Sequence, residues 1–351
     1  MTLMQKDCPL ALQWQTADPT SLGMDAEKLS ALEPVIKDGY SNISGIVVVR
    51  RGAIAYERYY NGFGPEDARH VTSVTKSILS ALIGIAIDAG YIRSADQKVL
   101  DFFPEYAFQD ENENRQRITI RHLLTMTAPY PFADWQEPFE KLCSSPDWVK
   151  FALDMLGQGG SIGTFKYSSA GAHLLSAILT RSTGKSARAF ANERLFKPVG
   201  MKEIPDDAMK GFGFDDLFGK NVKGWVKDPG NHSTGGWGLT LTPRDMARFG
   251  LLYLNRGVWG NDRIISEAWI EESTTPHTTA LIDTAAVQYG YLWWLYREGG
   301  VSAAVASGDG GNMICCIPEK DLVVAIASEF IPNARDRQAL VREYILPAII
   351  D

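Results

Sequence analysis

The chain has 351 residues, 45% hydrophobic and 22% charged, enough for one large domain with an insertion or for two domains. A formal net charge of -7, with lysines and arginines scattered, excludes nucleic acid and anionic membrane as main partners and favours a small neutral or mixed-charge ligand. No run approaches the roughly 18 apolar residues needed to cross a bilayer, and Lys6 and Asp7 interrupt the stretch a secretory signal would need, so a cytoplasmic location is expected.

In chain order, a first helix is expected over Ala26 to Ile36, followed by ISGIVVVRRGAIAYERYY, which reads as a hairpin turning near Arg51-Gly52. Next comes SVTKS (73–77) and the apolar run ILSALIGIAIDAG, the pattern of a buried helix. The middle carries helical patterns in ITIRHLLTMT, DWVKFALDML, AGAHLLSAILTRSTGK and PRDMARFGLLYLNRG, broken by glycine and proline loops. Near the end, VSAAVASGDGGNMICCIPEKDLVVAIASEF reads as three short strands with turns at Gly308 to Gly311 and Pro318 to Asp321, then a helix from about Ala334. Strands that end the chain can pair with strands that begin it. The expectation is an α+β fold: an antiparallel sheet of N- and C-terminal strands (about 1–75 and 290–351), flanked by helices, with a mainly helical region (about 76–289) inserted in one catalytic domain. Cys8, Cys143 and the adjacent Cys315 and Cys316 suggest packing thiols and no disulfide framework.

The chemistry is read first in SVTKS. With a helix starting near Val74, Ser73 is its N-cap and Lys76 lies in its first turn on the same face. The positive end of the helix dipole and the apolar surroundings both disfavour an ammonium, so the Lys76 pKa should fall. A neutral amine beside a hydroxyl can take its proton, and the helix end offers the Ser73 N–H to a developing oxyanion. A second S-x-x-K, Ser182 to Lys185, follows a helix end where Gly184 is a natural C-cap and a lysine suits the dipole, so it is structural. Gly159 to Gly163 matches G-x-S-x-G around Ser161, but lies in a loop after a helix, where a nucleophile elbow needs a strand before it. His70, His122, His173, His232 and His277 show no ligand spacing, and no dinucleotide or phosphate-loop glycine pattern occurs; neither metal nor cofactor is expected.

Two further stretches complete a pattern: Tyr167-Ser168-Ser169 before AGAHLLSAIL, and Ala306-Ser307-Gly308-Asp309-Gly310-Gly311 at a strand end. In the order S-x-x-K, Y-x-S, glycine-rich strand end, they resemble the serine β-lactamase and penicillin-binding-protein group, specifically its class C-like branch of esterases, DD-peptidases and 6-aminohexanoate-dimer hydrolases. The likeness runs from SLGMDAEKLSAL through GWGLTLTPRDMARFGLLYLN to GDGGNMICCIPEKDLVVAIAS. It implies a β-lactamase/transpeptidase-like fold, with Ser73 as acylated nucleophile and Lys76 as proton acceptor. It also implies Tyr167 as the phenol that shuttles the proton, and an oxyanion hole from the N–H groups of Ser73 and Asp309. Ser169, Ser307 and Gly308 would contact substrate, and Trp237 would be a pocket wall or a core tryptophan.

Two departures bear on substrate. Ser169 stands where the branch's β-lactamases usually carry asparagine, and Ala306-Ser307-Gly308 stands where its lactamases and peptidases usually begin with lysine or histidine. Without that cation a substrate carboxylate loses a charge-assisted contact. The expected function is a serine esterase or amidase acting on small acyl substrates; the alternatives are a β-lactamase or DD-peptidase and a catalytically silent binding protein of the same fold.

Overall fold

A computed structural model describes residues 14–108, 112–132, 136–208, 211, 213–219, 221–282, 285–298 and 300–350. The reading of Cys8 lies outside the described residues.

ISGIVVVR carries apolar residues at consecutive positions, and it forms strand β1 (Ile43–Arg50), buried along its whole length. A run of this kind needs cover on both faces. Strand β2 (Ala53–Tyr59) returns antiparallel beside it. The connecting pair Arg51 and Gly52 has φ of 50° and 76°; two successive left-handed residues are what a tight two-residue hairpin turn demands. The other edge of β1 is taken by the last strand of the chain. Strands β3 (Thr278–Ile282), β4 (Ala285–Tyr289), β5 (Trp294–Glu298), β6 (Val301–Gly308), β7 (Asn312–Ile317) and β8 (Leu322–Ser328) form a meander. The eight-stranded sheet has the order β2-β1-β8-β7-β6-β5-β4-β3, with every neighbouring pair antiparallel. Ile43 pairs with Ser328 and Arg50 with Leu322, so an N-terminal and a C-terminal strand are joined inside the sheet, one strand in from its β2 edge.

The sheet reaches further back than the sequence suggests, to Thr278 rather than about residue 290. TTALI and AAVQY are five residues each and bury only Ala280, Val287 and Tyr289, so no apolar run marks them as strands. The single helix expected over 26–36 is two, Ala26–Ser30 and Leu32–Gly39. Pro34 has no N–H to give the Ser30 carbonyl, so the helix breaks between them. At the other end a short helix starts at Arg337, three residues later than expected.

Helix α1 (Val74–Asp88) is buried from Val74 to Ala86, as an all-round apolar helix has to be. It lies between β6 and helix α3 (Ser169–Thr183), and α3 in turn packs on helix α2 (Trp148–Met155). Gly184 ends α3 with φ of 70°, its N–H donating to the Thr180 carbonyl at 2.9 Å. Helix α4 (Pro243–Leu254) starts at an N-cap Thr242 whose hydroxyl accepts from Asp245 N at 3.0 Å, and it packs across β1, β7 and β8. Among the described residues, no helix is long and apolar enough to cross a membrane. This arrangement puts the first turn of α1, the start of α3 and the end of β6 at one place.

Candidate active site

Thr72, just before α1, has φ of 47°. A β-branched residue in the left-handed region costs about 1–3 kcal/mol and persists only where its surroundings fix it. Here the Thr72 hydroxyl donates to the Asp309 carbonyl at 3.1 Å, and its own carbonyl accepts from the Thr75 hydroxyl at 2.6 Å. Ser73 follows at the N-cap position but makes no side-chain cap. Its hydroxyl is turned to Lys76 instead, with Nζ and Oγ 3.0 Å apart.

Lys76 is 1% exposed. Its amine also donates to Ser169 Oγ at 3.0 Å and to the Gly236 carbonyl at 2.7 Å, which gives each ammonium hydrogen an acceptor. Burial lowers the Lys76 pKa to about 8, with the Glu137 and Asp309 charges pulling the other way. The Tyr167 phenol hydrogen-bonds with the Ser73 side chain, and its ring centroid lies 4.7 Å from Lys76 Nζ. Burial raises the phenol's pKa, so it stays protonated at neutral pH. The ring stacks on Trp294 of β5. Two residues on, Ser169 opens α3 behind its N-cap Ser168, whose hydroxyl accepts from Gly171 N at 2.9 Å.

The third wall is the segment around Gly235-Gly236-Trp237. A Cβ on Gly236 would sit 2.6 Å from the Ser169 Cβ, so only glycine lets this carbonyl reach Lys76. Trp237, 2% exposed, stacks on Trp148 and meets Phe139 and Phe218. His70 braces the same wall: Gly238 N donates to its Nε2 at 2.9 Å, which leaves Nδ1 to donate to the Phe218 carbonyl at 2.9 Å. Burial lowers the His70 pKa to about 4, consistent with that neutral tautomer. At the base of the segment, Asp228 Oδ2 lies 3.0 Å from both His173 Nε2 and His232 Nδ1. Burial pushes the Asp228 carboxyl up, but its bonds to the two rings outweigh this and hold it well below the usual range. These three side chains, separated by up to 59 residues of sequence, were not brought together by any spacing pattern.

At the end of β6, a Cβ on Gly308 would lie 2.2 Å from the Thr72 hydroxyl oxygen, 2.4 Å from the Val71 carbonyl and 3.1 Å from Ser73 N. The strand end therefore runs directly against the first turn of α1. The following turn is held by Asn312 Nδ2 donating to the Asp309 carbonyl at 2.9 Å and by Asn42 Nδ2 donating to the Gly310 carbonyl at 2.7 Å.

These walls enclose a cavity of about 370 Å³ lined by Ser73, Tyr167, Ser169, Trp237 and Asp309. Ser307 and Gly308 line a neighbouring depression with residues 330–338. Glu137, which sequence reasoning missed, also lines the cavity, with Phe139, Phe218 and Phe330. Its carboxylate accepts from Ser169 N at 2.7 Å and from Ala170 N, the first backbone donors of α3. Burial raises its pKa against the opposing pull of those donors and of Lys76.

The eight-stranded antiparallel sheet flanked by helices is the fold that comparison with known proteins also returns. The Beta-lactamase family model matches residues 37–346, and the chain belongs to that family. It is 25% identical over 279 residues to 6-aminohexanoate-dimer hydrolase of Paenarthrobacter ureafaciens, covering 72% of this chain and 64% of that protein. It is 21% identical over 328 residues to Beta-lactamase-like protein 2 of Dictyostelium discoideum, covering 81% of this chain and 57% of that one. The chain thus spans less than two thirds of the length of both relatives. In fold it is similar to the octameric penicillin-binding protein homologue from Pyrococcus abyssi, with a TM-score of 0.69 and 21% identity, covering 92% of this chain and 78% of that one.

Proposed function

We propose that this chain is a serine hydrolase that forms a covalent acyl-enzyme on small esters or amides. The observation that carries this reading is the contact set at the head of α1: Ser73 Oγ at 3.0 Å from Lys76 Nζ and hydrogen-bonded to Tyr167, on the wall of a cavity. With a lysine pKa of about 8, about a tenth of the molecules hold a neutral amine at pH 7. That amine takes the Ser73 proton as Oγ adds to the acyl carbon. The Ser73 and Asp309 N–H groups hold the resulting oxyanion. Tyr167, a phenol at this pH, gives its proton to the departing alcohol or amine as that bond breaks, and is reprotonated from Lys76. Water then adds to the acyl-enzyme by the same steps in reverse, releasing the acid and free Ser73.

Several features favour small acyl groups over β-lactams and D-alanine peptides. Ala306, Ser307 and Gly308 supply no cation for a substrate carboxylate, and Asp309 places a negative charge on the cavity wall. The test is hydrolysis of short p-nitrophenyl esters together with intact-protein mass spectrometry after a fluorophosphonate. Ser73→Ala should lose the adduct and reduce turnover by about a thousandfold or more. Undiminished turnover in that variant would overturn the reading, and a persistent penicillin adduct on the wild type would favour the penicillin-binding alternative.

A further inference from the structure

At the base of the segment that leads to Gly236, His173 of α3 meets Asp228 and His232 in the interior, with side-chain exposures of 0%, 1% and 15%. One ligand atom of each, His173 Nε2, an Asp228 carboxylate oxygen and His232 Nδ1, lies within 4.8 Å of the other two. Asp228 Oδ2 is 3.0 Å from both ring nitrogens. Neighbouring ligands held at about 2.0–2.2 Å from one ion are about 3–3.5 Å apart, so small side-chain movements bring the three into coordination. Two imidazoles and a carboxylate are a donor set that zinc and the related first-row ions accept.

Hydrogen bonds alone leave a charge in this cluster. Among the described residues, no lysine or arginine forms an ion pair with the buried Asp228 carboxylate. Neutral imidazole donors satisfy its lone pairs without cancelling its charge, and a buried charge is ordinarily matched by an opposite one or by a metal. The frame is held independently of the three side chains: Ser176, one turn along α3 from His173, donates to the Ser233 carbonyl at 2.6 Å. His173 Nδ1 is buried without a hydrogen-bond partner, so no donor fixes the ring proton on Nε2. Carried on Nδ1, that proton leaves the Nε2 lone pair for an ion.

We infer that His173, Asp228 and His232 form a binding site for a divalent transition-metal ion of the zinc type, entered from the partly exposed His232 side. The ion replaces the imidazole-carboxylate hydrogen bonds with three ligand bonds and cancels the buried charge. Its position gives it a structural task. His173 lies four residues after Ser169 and His232 four before Gly236, and Ser169 and Gly236 are the two acceptors that hold the Lys76 amine beside Ser73. The ion pins these two segments together, and the site stands whether or not the hydrolase reading does.

The test uses the full-length protein, stripped with EDTA and titrated with zinc chloride by calorimetry and with cobalt(II) chloride by visible absorption. The wild type should bind one equivalent of zinc, and its melting temperature should rise by about 3 °C or more once free zinc is a hundredfold above Kd. Cobalt should give d–d bands of a nitrogen- and oxygen-ligated ion. Asp228→Asn and His232→Gln should each weaken zinc binding tenfold or more and remove or shift the cobalt bands. His232 is the most exposed of the three, so its variant keeps the measurement available if Asp228→Asn folds poorly. No zinc binding by the wild type, or equal binding and unchanged cobalt bands in a folded variant, overturns the inference. Neither result touches the Ser73 reading, which the fluorophosphonate adduct tests.

Discussion

With three acceptors around its amine, Lys76 can give up the proton aimed at Ser73 and still donate to Ser169 and Gly236. The lone pair then faces the hydroxyl it must deprotonate. The proposed mechanism therefore ties activity to the protonation of one residue. Because only the neutral amine accepts a proton, kcat/KM should rise with pH through about 8 and level off above it. Lys76→Arg, which keeps its proton throughout, should stay inactive over the whole range; a pH profile on a p-nitrophenyl ester, corrected for spontaneous hydrolysis, checks both. The serine and lysine were legible in the sequence because their spacing of three puts them on one face of a helix whatever surrounds it. Glu137 was not, because it sits in an aromatic loop whose path no periodicity reports. The Asp228 cluster was hidden for the same reason: its histidines look scattered until α3 and the segment around residue 230 come together.

Each element at the site is kept in place by a contact that tolerates little added volume. The meeting of β6 with the first turn of α1 is the closest of these. Gly308→Ala would put a methyl group 2.2 Å from the Thr72 hydroxyl and 2.4 Å from the Val71 carbonyl, so the strand end and the helix start have to separate. A shift of that kind moves the Asp309 and Ser73 N–H groups apart. The expected loss in kcat/KM is about a hundredfold, with far-UV circular dichroism and cooperative melting retained. The glycine-rich turn was legible as a turn in GDGGN. Its packing partner was not, since the strained Thr72 lies in a stretch, HVTSV, that gives no sign of positive φ.

At the scale of the molecule, the pairing of first and last strands followed from their apolar runs, IVVV and LVVAIA, which read as buried strands wherever they occur. Strands β3 to β5 were missed because each is only five residues long and takes its conformation from the neighbours it pairs with. Since β8 lies between β1 and β7, a chain ending before Leu322 should show no cooperative thermal transition, whereas one lacking only the final residue should melt like the whole protein. The same strand has a consequence during synthesis. Strand β1 leaves the ribosome about 270 residues ahead of its partner β8, and at about 5–20 residues per second that is a wait on the order of tens of seconds with an apolar strand edge open. The hairpin of β1 and β2 therefore stays incomplete until β8 has been made and takes the open edge of β1.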